Sequence, residues 1–228
     1  MKLRHVVKVT GQVLQNELKV SKNFKNQNCI FEYLVIEVSD YSVVRVNITI
    51  NEFASSGKKD TRYDAMIKAL TFKSKASYGN DADRVQVTSG FLQTKSKENK
   101  QGIRIDNIEV RTNFINITED SKVNQSQFEL EGFLDRIENN VAVIKQLNYN
   151  NDIEEFKLTA DKEIIIKLKD RVGSIVLIKG KVDKSVNVIK NGEYLVATSP
   201  AIERFHIEEQ YGSINNSEEN ISCFINDL

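Results

Sequence analysis

The sequence predicts an all-β protein with a minor helical component, built from two copies of one small barrel. Residues 83–114 alternate apolar and polar side chains on either side of a charged stretch, which is typical of two strands joined by a long hairpin. Glycine pairs with a spacing of twelve residues recur along the chain: Gly90 and Gly102, then Gly180 and Gly192. Because each pair follows an Asp-Arg-Val tripeptide, we predict an internal duplication.

The two predicted copies differ in length. Gly11 in VKVTGQV corresponds to Gly132 in FELEGFL with an offset of 121 residues, whereas Gly90 and Gly180 are offset by 90. The first copy should therefore carry 31 additional residues between its first and fourth strands. The predicted units are residues 1–118 and 125–207, followed by a disordered acidic C-terminal tail at residues 208–228.

The first copy is predicted in the order strand, strand, strand, helix, strand, strand. A polar turn at residues 16–28 separates the first two strands. The predicted inward-facing residues of the first three strands are Val7, Val9, Val13, Leu34, Ile36, Val38, Val44, Val46, Ile48 and Ile50. The segment TRYDAMIKALTF has the apolar spacing of a helix, with Asp60 or Thr61 as its N-cap. This order is that of an oligonucleotide/oligosaccharide-binding (OB) fold, a five-stranded Greek-key barrel.

The second copy follows the same order less closely. Its predicted strands span residues 128–134, 140–147, 153–158, 174–182 and 193–197. The segment DKEIIIKLKD fits either a helix or a strand. The fold class is therefore two tandem OB barrels.

Charge is distributed unevenly although the chain is neutral overall. Residues 1–118 carry an excess of seven positive charges, and residues 207–228 carry five acidic side chains without a Lys or Arg. No apolar run is long enough for a membrane span or a signal peptide, so we expect a cytoplasmic protein. The abundance of Asn, Lys and Ile suggests AT-rich codons, as in a low-GC bacterium or its phages and plasmids.

The sequence carries no motif of an enzyme. Cys29 and Cys223 are not in paired motifs and only two histidines occur, so we predict unpaired thiols and neither a metal nor a cofactor. Asp81 and Asp83 could hold a nuclease metal, but a turn is the favoured interpretation of this pair. Phosphate loops and hydrolase motifs do not occur in the sequence.

The segment DRVQVTSGFLQTKSKENKQGIRIDNIEV resembles the fourth and fifth strands of bacterial single-stranded DNA-binding proteins. There a valine-rich strand ends in glycine and is followed by an exposed residue, a leucine, a basic loop and a hydrophobic strand. Those proteins also end in an acidic tail with a hydrophobic tip, and residues 212–228 are similar. The chain departs from them in having no Trp, a different start, no Pro-Phe end and two barrels.

This resemblance implies a divergent phage or plasmid relative that protects single-stranded DNA during replication or recombination. The tail would recruit replication or recombination proteins through Phe224, Ile225 and Leu228. The resemblance leaves two questions open: whether RNA is also a ligand, and whether the protein forms a homodimer.

Single-strand binding needs cations for phosphates and flat rings for bases. We predict that Tyr33, Phe53 and Phe91 contact bases, with core packing as the alternative for Phe91. The predicted polar contacts are Lys8, Arg45, Asn47, Lys95, Lys97, Lys100 and Arg104. The second copy is interpreted as a weaker binder or a dimerisation module. A rival hypothesis is an adaptor protein that binds only other proteins; it would lack the steep salt dependence of DNA binding.

Overall fold

The computed structural model of the chain describes residues 3–39, 42–98, 104–119, 122–148, 151–185, 188–191, 194–197 and 202–212. Its strands are β1 (His5–Asn16), β2 (Lys19–Lys22), β3 (Asn28–Ser39), β4 (Ser42–Asn51), β5 (Arg84–Glu98), β6 (Arg104–Thr112), β7 (Asn116–Ile117), β8 (Gln125–Glu138), β9 (Val141–Leu147), β10 (Ile153–Ala160), β11 (Ile175–Ser185), β12 (Val188–Asn191), β13 (Tyr194–Ala197) and β14 (Ile202–Gly212). Its α-helices are α1 (Thr61–Ile67), α2 (Lys75–Tyr78) and α3 (Lys162–Lys169). None of the helices in these ranges is long and apolar enough to cross a membrane.

Five strands of the N-terminal half form a closed ring of hydrogen-bonded ladders, which we call the first ring. Strand β1 pairs with β3, β3 with β4, β4 with β6 in parallel, β6 with β5, and β5 again with β1. All ten residues predicted to face inward in the first three strands are buried. Helix α1 lies between β4 and β5 as predicted, and its N-cap Asp60 accepts a hydrogen bond from the Arg62 N–H at 3.0 Å.

The C-terminal half contains a second ring with the same order of pairings. Strand β8 pairs with β9, β9 with β10, β10 with β14 in parallel, β14 with β11, and β11 again with β8. The segment left open between helix and strand is α3, which precedes β11. The fifth strand was predicted wrongly at residues 193–197, since residues 194–197 form β13 in a hairpin with β12. The ring is closed by β14, which extends to Gly212, so residues 208–212 are strand and not tail.

The glycines of the two rings occupy equivalent positions in the ladders. Gly11 of β1 lies opposite Val85, and Gly132 of β8 lies opposite Val176. Gly90 lies opposite Val7, four positions before Gly11, and Gly180 lies opposite Phe128, four positions before Gly132. The Asp-Arg-Val tripeptides are not equivalent, however. Val85 is buried in β5, whereas Val172 is exposed in the turn before β11.

The additional residues of the first ring lie mainly in two connections. Strand β2 and the turn after it occupy most of the segment between β1 and β3, which the sequence indicated as one long turn, whereas only Asn139 and Asn140 separate β8 from β9. A second long connection, residues 52–83, carries α1 and α2 between β4 and β5. Both connections fall between the first and fourth strands, where the insertion was predicted.

Strand β1 of the first ring also pairs with β8 of the second ring, and His5 lies at this contact. Residues 5–10 of β1 pair with β8, and residues 7–12 pair with β5. The Nε2 atom of His5 accepts a hydrogen bond from the Leu92 N–H at 2.8 Å, and the imidazole packs edge-on against Phe91 and Phe156. Burial lowers the pKa of His5 to about 4, although a hydrogen bond with Gln146 opposes the shift. His5 is therefore neutral at physiological pH and can accept this bond.

Replacement of Gly11 or Gly132 by alanine should destabilise the protein, because each glycine lies where its strand crosses a neighbour closely. A Cβ atom on Gly11 would lie 2.0 Å from the Glu37 carbonyl oxygen, and one on Gly132 would lie 2.6 Å from Ile144 Cγ2. We expect losses in the free energy of unfolding of about 2 to 3 kcal/mol, measured by urea denaturation. Gly57→Ala is the control: its φ is +79° with open space around it, so strain alone should cost about 1 kcal/mol. A loss for Gly11→Ala no larger than the control would contradict the close crossing.

The stability of the protein should fall as the pH drops below the ordinary pKa of histidine. The unfolded chain takes up a proton on His5 near pH 6.5, whereas the folded protein resists protonation down to about pH 4. The His5 contribution is thus fully present above pH 6.5 and is lost as the pH falls. Between pH 7 and pH 5 this amounts to about 2 kcal/mol.

The measurement is urea unfolding at pH 7, 6 and 5 for the natural protein and for His5→Gln. The glutamine retains an acceptor for the Leu92 N–H but does not titrate. Its stability should change less over this interval. Equal changes in both proteins would show that His5 is not the titrating group.

Candidate nucleic-acid interface

One outward face of the first ring carries aromatic and cationic side chains on four adjacent strands. Tyr33 of β3 lies opposite Asn47 of β4, Asn47 lies opposite Arg111 of β6, and Arg111 lies opposite Phe91 of β5. These four residues form a row across the sheet. We call this face the platform, and its members are Phe31, Tyr33, Arg45, Asn47, Thr49, Phe91, Gln93, Lys95, Glu109 and Arg111.

Strict alternation along the strands creates the platform. Val46 and Ile48 are buried between Arg45, Asn47 and Thr49, so those polar residues point outward. Leu92 and Val110 are buried in the same way on β5 and β6. Of the predicted contact residues, the structure brings Tyr33, Arg45, Asn47, Phe91 and Lys95 to this face.

The guanidinium group of Arg45 is stacked on the ring of Tyr33. Its Cζ atom lies 3.6 Å from the ring centroid, a distance typical of a cation–π contact. The Nε atom is buried and has no hydrogen-bond partner within the described residues. One face of the Tyr33 ring is thus already occupied, and Arg45 presents a flat cation there.

Arg111 is a platform residue that the sequence analysis missed. Its guanidinium donates to Gln93 Oε1 at 2.5 Å and to Thr49 Oγ1 at 2.8 Å, so it bridges the outer faces of β5 and β4. Both partners are neutral, and the charge of Arg111 is not cancelled by them. The alternation in IEVRT, with Val110 inside, could have indicated that Arg111 faces outward.

Lys19 extends the cationic surface to the β3 edge of the platform, and it too was missed. Its Nζ atom lies 4.9 Å from the ring centroid of Phe31 and 3.2 Å from Glu32 Oε1. Glu32 has a φ of 88°, an uncommon left-handed conformation in the middle of a strand. At the other edge Lys95 Nζ is 3.9 Å from Glu109 Oε1. The platform is therefore mixed in charge at both edges.

Two predicted contact residues lie elsewhere. Lys8 is exposed on β1 and lines a polar pocket of about 220 Å³ with Glu129 and Lys179, at the contact between the rings. Phe53 follows the end of β4 and is half-buried in an isolated bridge with Lys59. Both residues therefore lie away from the platform: Lys8 lies where β1 pairs with β8, and Phe53 lies beyond the alternation of β4, which ends at Asn51.

The predicted basic loop is shorter than expected. Strand β5 continues to Glu98, so Lys95 and Lys97 belong to a strand. The backbone of Arg104 opens β6 opposite Glu98. Phe91 is half-buried and packs against His5. Its exposure therefore lies between the two alternatives for this residue, an exposed contact with a base and packing in the core. Lys100 and the predicted tail anchors lie outside the described residues: Phe224, Ile225 and Leu228.

The residues that the structure describes contain no group of three His, Cys, Asp or Glu side chains able to hold a metal ion. Cys29 is a buried unpaired thiol, and burial raises its pKa. Cys223 lies outside the described ranges. The platform offers cations, amides and aromatic rings, together with the carboxylate of Glu109.

Comparison with known proteins gives a fold and a family. No curated protein matches the sequence. The wild-type single-stranded DNA binding protein from Thermus aquaticus matches with a TM-score of 0.56 and 13% identity, covering 95% of this chain and 96% of that chain. A deletion mutant of the same protein matches with a TM-score of 0.58 and 11% identity, covering 95% and 97%. This likeness shows the fold, a β-rich structure of the OB type. The family model described as YorF matches residues 4–227, and the chain therefore belongs to the YorF family.

Proposed function

We propose that this protein binds single-stranded DNA through the platform of its first ring, and that its two rings are tandem OB barrels. The observation that carries the proposal is the row of Tyr33, Asn47, Arg111 and Phe91, with Arg45 stacked on Tyr33. The two structural neighbours are named as single-stranded DNA binding proteins, which supports the proposal.

The platform offers both contacts that a single strand requires. Arg45 and Arg111 have no carboxylate partner in the described part of the chain, so their charges are available to phosphates. Phe31, Tyr33 and Phe91 offer rings for stacking, each base contributing about 1 to 3 kcal/mol. Asn47 and Gln93 add amide groups between them. A surface of this kind binds a strand without catalysing a reaction, so we propose that this protein is not an enzyme.

DNA replication or recombination is the setting that this activity favours, because single strands are exposed there. The bias toward Asn, Lys and Ile favours a phage or plasmid source in a low-GC host. Recruitment of partner proteins through Phe224, Ile225 and Leu228 stays a prediction from the sequence. We propose single-stranded DNA as the ligand. RNA is the alternative ligand, and binding assays should compare the two.

The rival function is an adaptor that binds only proteins. The salt dependence of binding distinguishes this adaptor function from DNA binding. A strand held by several cations releases counterions and weakens steeply with ionic strength, whereas an apolar protein interface does not. A protein that binds neither oligo-dT nor oligo-rU at low salt would favour the adaptor.

Removal of a platform cation should weaken DNA binding and reduce its salt dependence. We expect Arg111→Gln to lower oligo-dT affinity several-fold and to reduce the slope of log K against log salt by about one unit. The measurement is fluorescence anisotropy of a labelled oligonucleotide at about 50 and about 200 mM salt. Lys8→Gln removes one positive charge away from the platform and should leave both quantities nearly unchanged. Equal effects of the two variants would place the interface elsewhere.

Removal of a platform ring should weaken binding without changing the salt slope, because stacking releases no counterions. Tyr33→Ala and Phe91→Ala should each cost about 1 to 3 kcal/mol in oligo-dT binding. Tyr78→Ala serves as the matched control, since Tyr78 is exposed on α2 and away from the platform. Thermal unfolding of each variant identifies losses due to misfolding. Unchanged affinity in both platform variants would refute the stacking role.

A further inference from the structure

We propose that the C-terminal segment, residues 213–228, folds as a short helix on the exposed side of α3 and covers Ile166. This segment lies outside the described residues. Helix α3 buries Ile165 and Leu168 in the core, whereas Ile166 is turned away from it and is 55% exposed. Val172, in the turn that follows α3, is 47% exposed. The inference concerns the second ring and does not depend on DNA binding by the first.

The last described strand ends beside this helix. Strand β14 is parallel to β10 up to Ala160, directly before α3 begins, and it continues to Gly212. Gly212 lies opposite Val176 of β11, and residues 170–175 connect α3 to that position. The C-terminal segment therefore starts next to the turn that carries Val172.

The first ring shows where a chain continues from the equivalent position. Strand β7 pairs with β5 four positions before Gly90, as the end of β14 pairs with β11 four positions before Gly180. After β7 the Thr118 N–H donates to the Arg84 carbonyl oxygen at 2.9 Å, and the Arg84 guanidinium contacts Asn124. The chain is thus kept against the first residue of β5. The same course in the second ring would carry the C-terminal segment past the turn between α3 and β11.

The C-terminal segment has an apolar stripe that fits a helix. Ile221, Phe224, Ile225 and Leu228 have the spacing i, i+3, i+4, i+7, which places them on one side of a helix. So short a helix is marginal in water unless it packs on another surface. The exposed side of α3 offers an apolar surface, and anchors with this spacing are typical of a helix that binds one.

Charge and proximity favour the chain's own segment as the occupant. The end of α3 and the turn after it carry three exposed cations and one carboxylate: Lys167, Lys169, Arg171 and Asp170. The C-terminal segment carries three carboxylates and no Lys or Arg. Because the segment is attached beside this surface, its effective concentration there is about millimolar, higher than that of a separate protein.

Docking on α3 would control the availability of the segment to other proteins. Three residues of the stripe are those that the sequence predicts as anchors for partner proteins: Phe224, Ile225 and Leu228. A partner that binds these anchors must displace them from α3. The segment would therefore be released only to a partner that competes with this surface.

Ile166→Trp in the full chain provides a direct test, because the natural protein contains no tryptophan. The position is exposed, so the substitution leaves the core intact. Acrylamide quenching measures how far the indole is covered. We expect quenching to be several-fold weaker than in the same protein with Phe224→Ser and Ile225→Ser. Ile153→Trp is the matched control, since Ile153 is exposed at the start of β10, far from α3, and its quenching should not respond to the serine substitutions.

A synthetic peptide of residues 213–228 separates docking from an indirect effect of the substitutions. Added at about millimolar concentration to the Ile166→Trp protein that carries both serines, it should restore protection, and a peptide with the same serines should not. A natural peptide that restores nothing would overturn the inference. Equal quenching with and without the serine substitutions would do the same, and so would protection that rises with protein concentration, because it would assign the surface to a second copy of the chain.

Discussion

Strand β1 is the element on which the rest of the structure depends, because it forms ladders with three other strands. Residues 7–12 pair with β5, residues 12–16 with β3, and residues 5–10 with β8. The same strand therefore closes the first ring and joins it to the second. Gly11 permits this, since any side chain there would collide with β3 at Glu37. The neutral His5 holds the start of the strand between the two halves through Leu92 and Phe156.

Alternation of apolar residues made most of the fold predictable, and its failure explains the error at the end of the second ring. The inward-facing residues of β3 and β4 recur with a period of two, and this period can be recognised without knowing the partner strand. Strand β14, IERFHIEEQYG, lacks that pattern because it is rich in charged residues. Its ladder with β11 sets Asp183 opposite Arg204 and Lys184 opposite Glu203. A search for apolar periodicity does not reveal a strand of this composition.

The platform was only partly predictable, because its members come together through non-local pairing. The outward positions of Tyr33 and Arg45 follow from their own strands. Arg111 reaches Asn47 only through the parallel ladder of β4 with β6, which local sequence does not show.

The strands of the two rings pair in equivalent registers, but the charged side chains on the two surfaces have different partners. Arg136 of β8 forms ion pairs with Asp135, Glu138 and Glu155, and Lys145 of β9 lies 3.0 Å from Asp135 Oδ1. Cations engaged in this way are less available to phosphates than Arg45 and Arg111 are. Because buried residues fix a barrel and outward residues are free to vary, rings with the same order of strand pairings can carry different surfaces. The same reasoning explains why a shared fold with the Thermus aquaticus protein at 13% identity does not transfer individual contacts, which must be established on this surface.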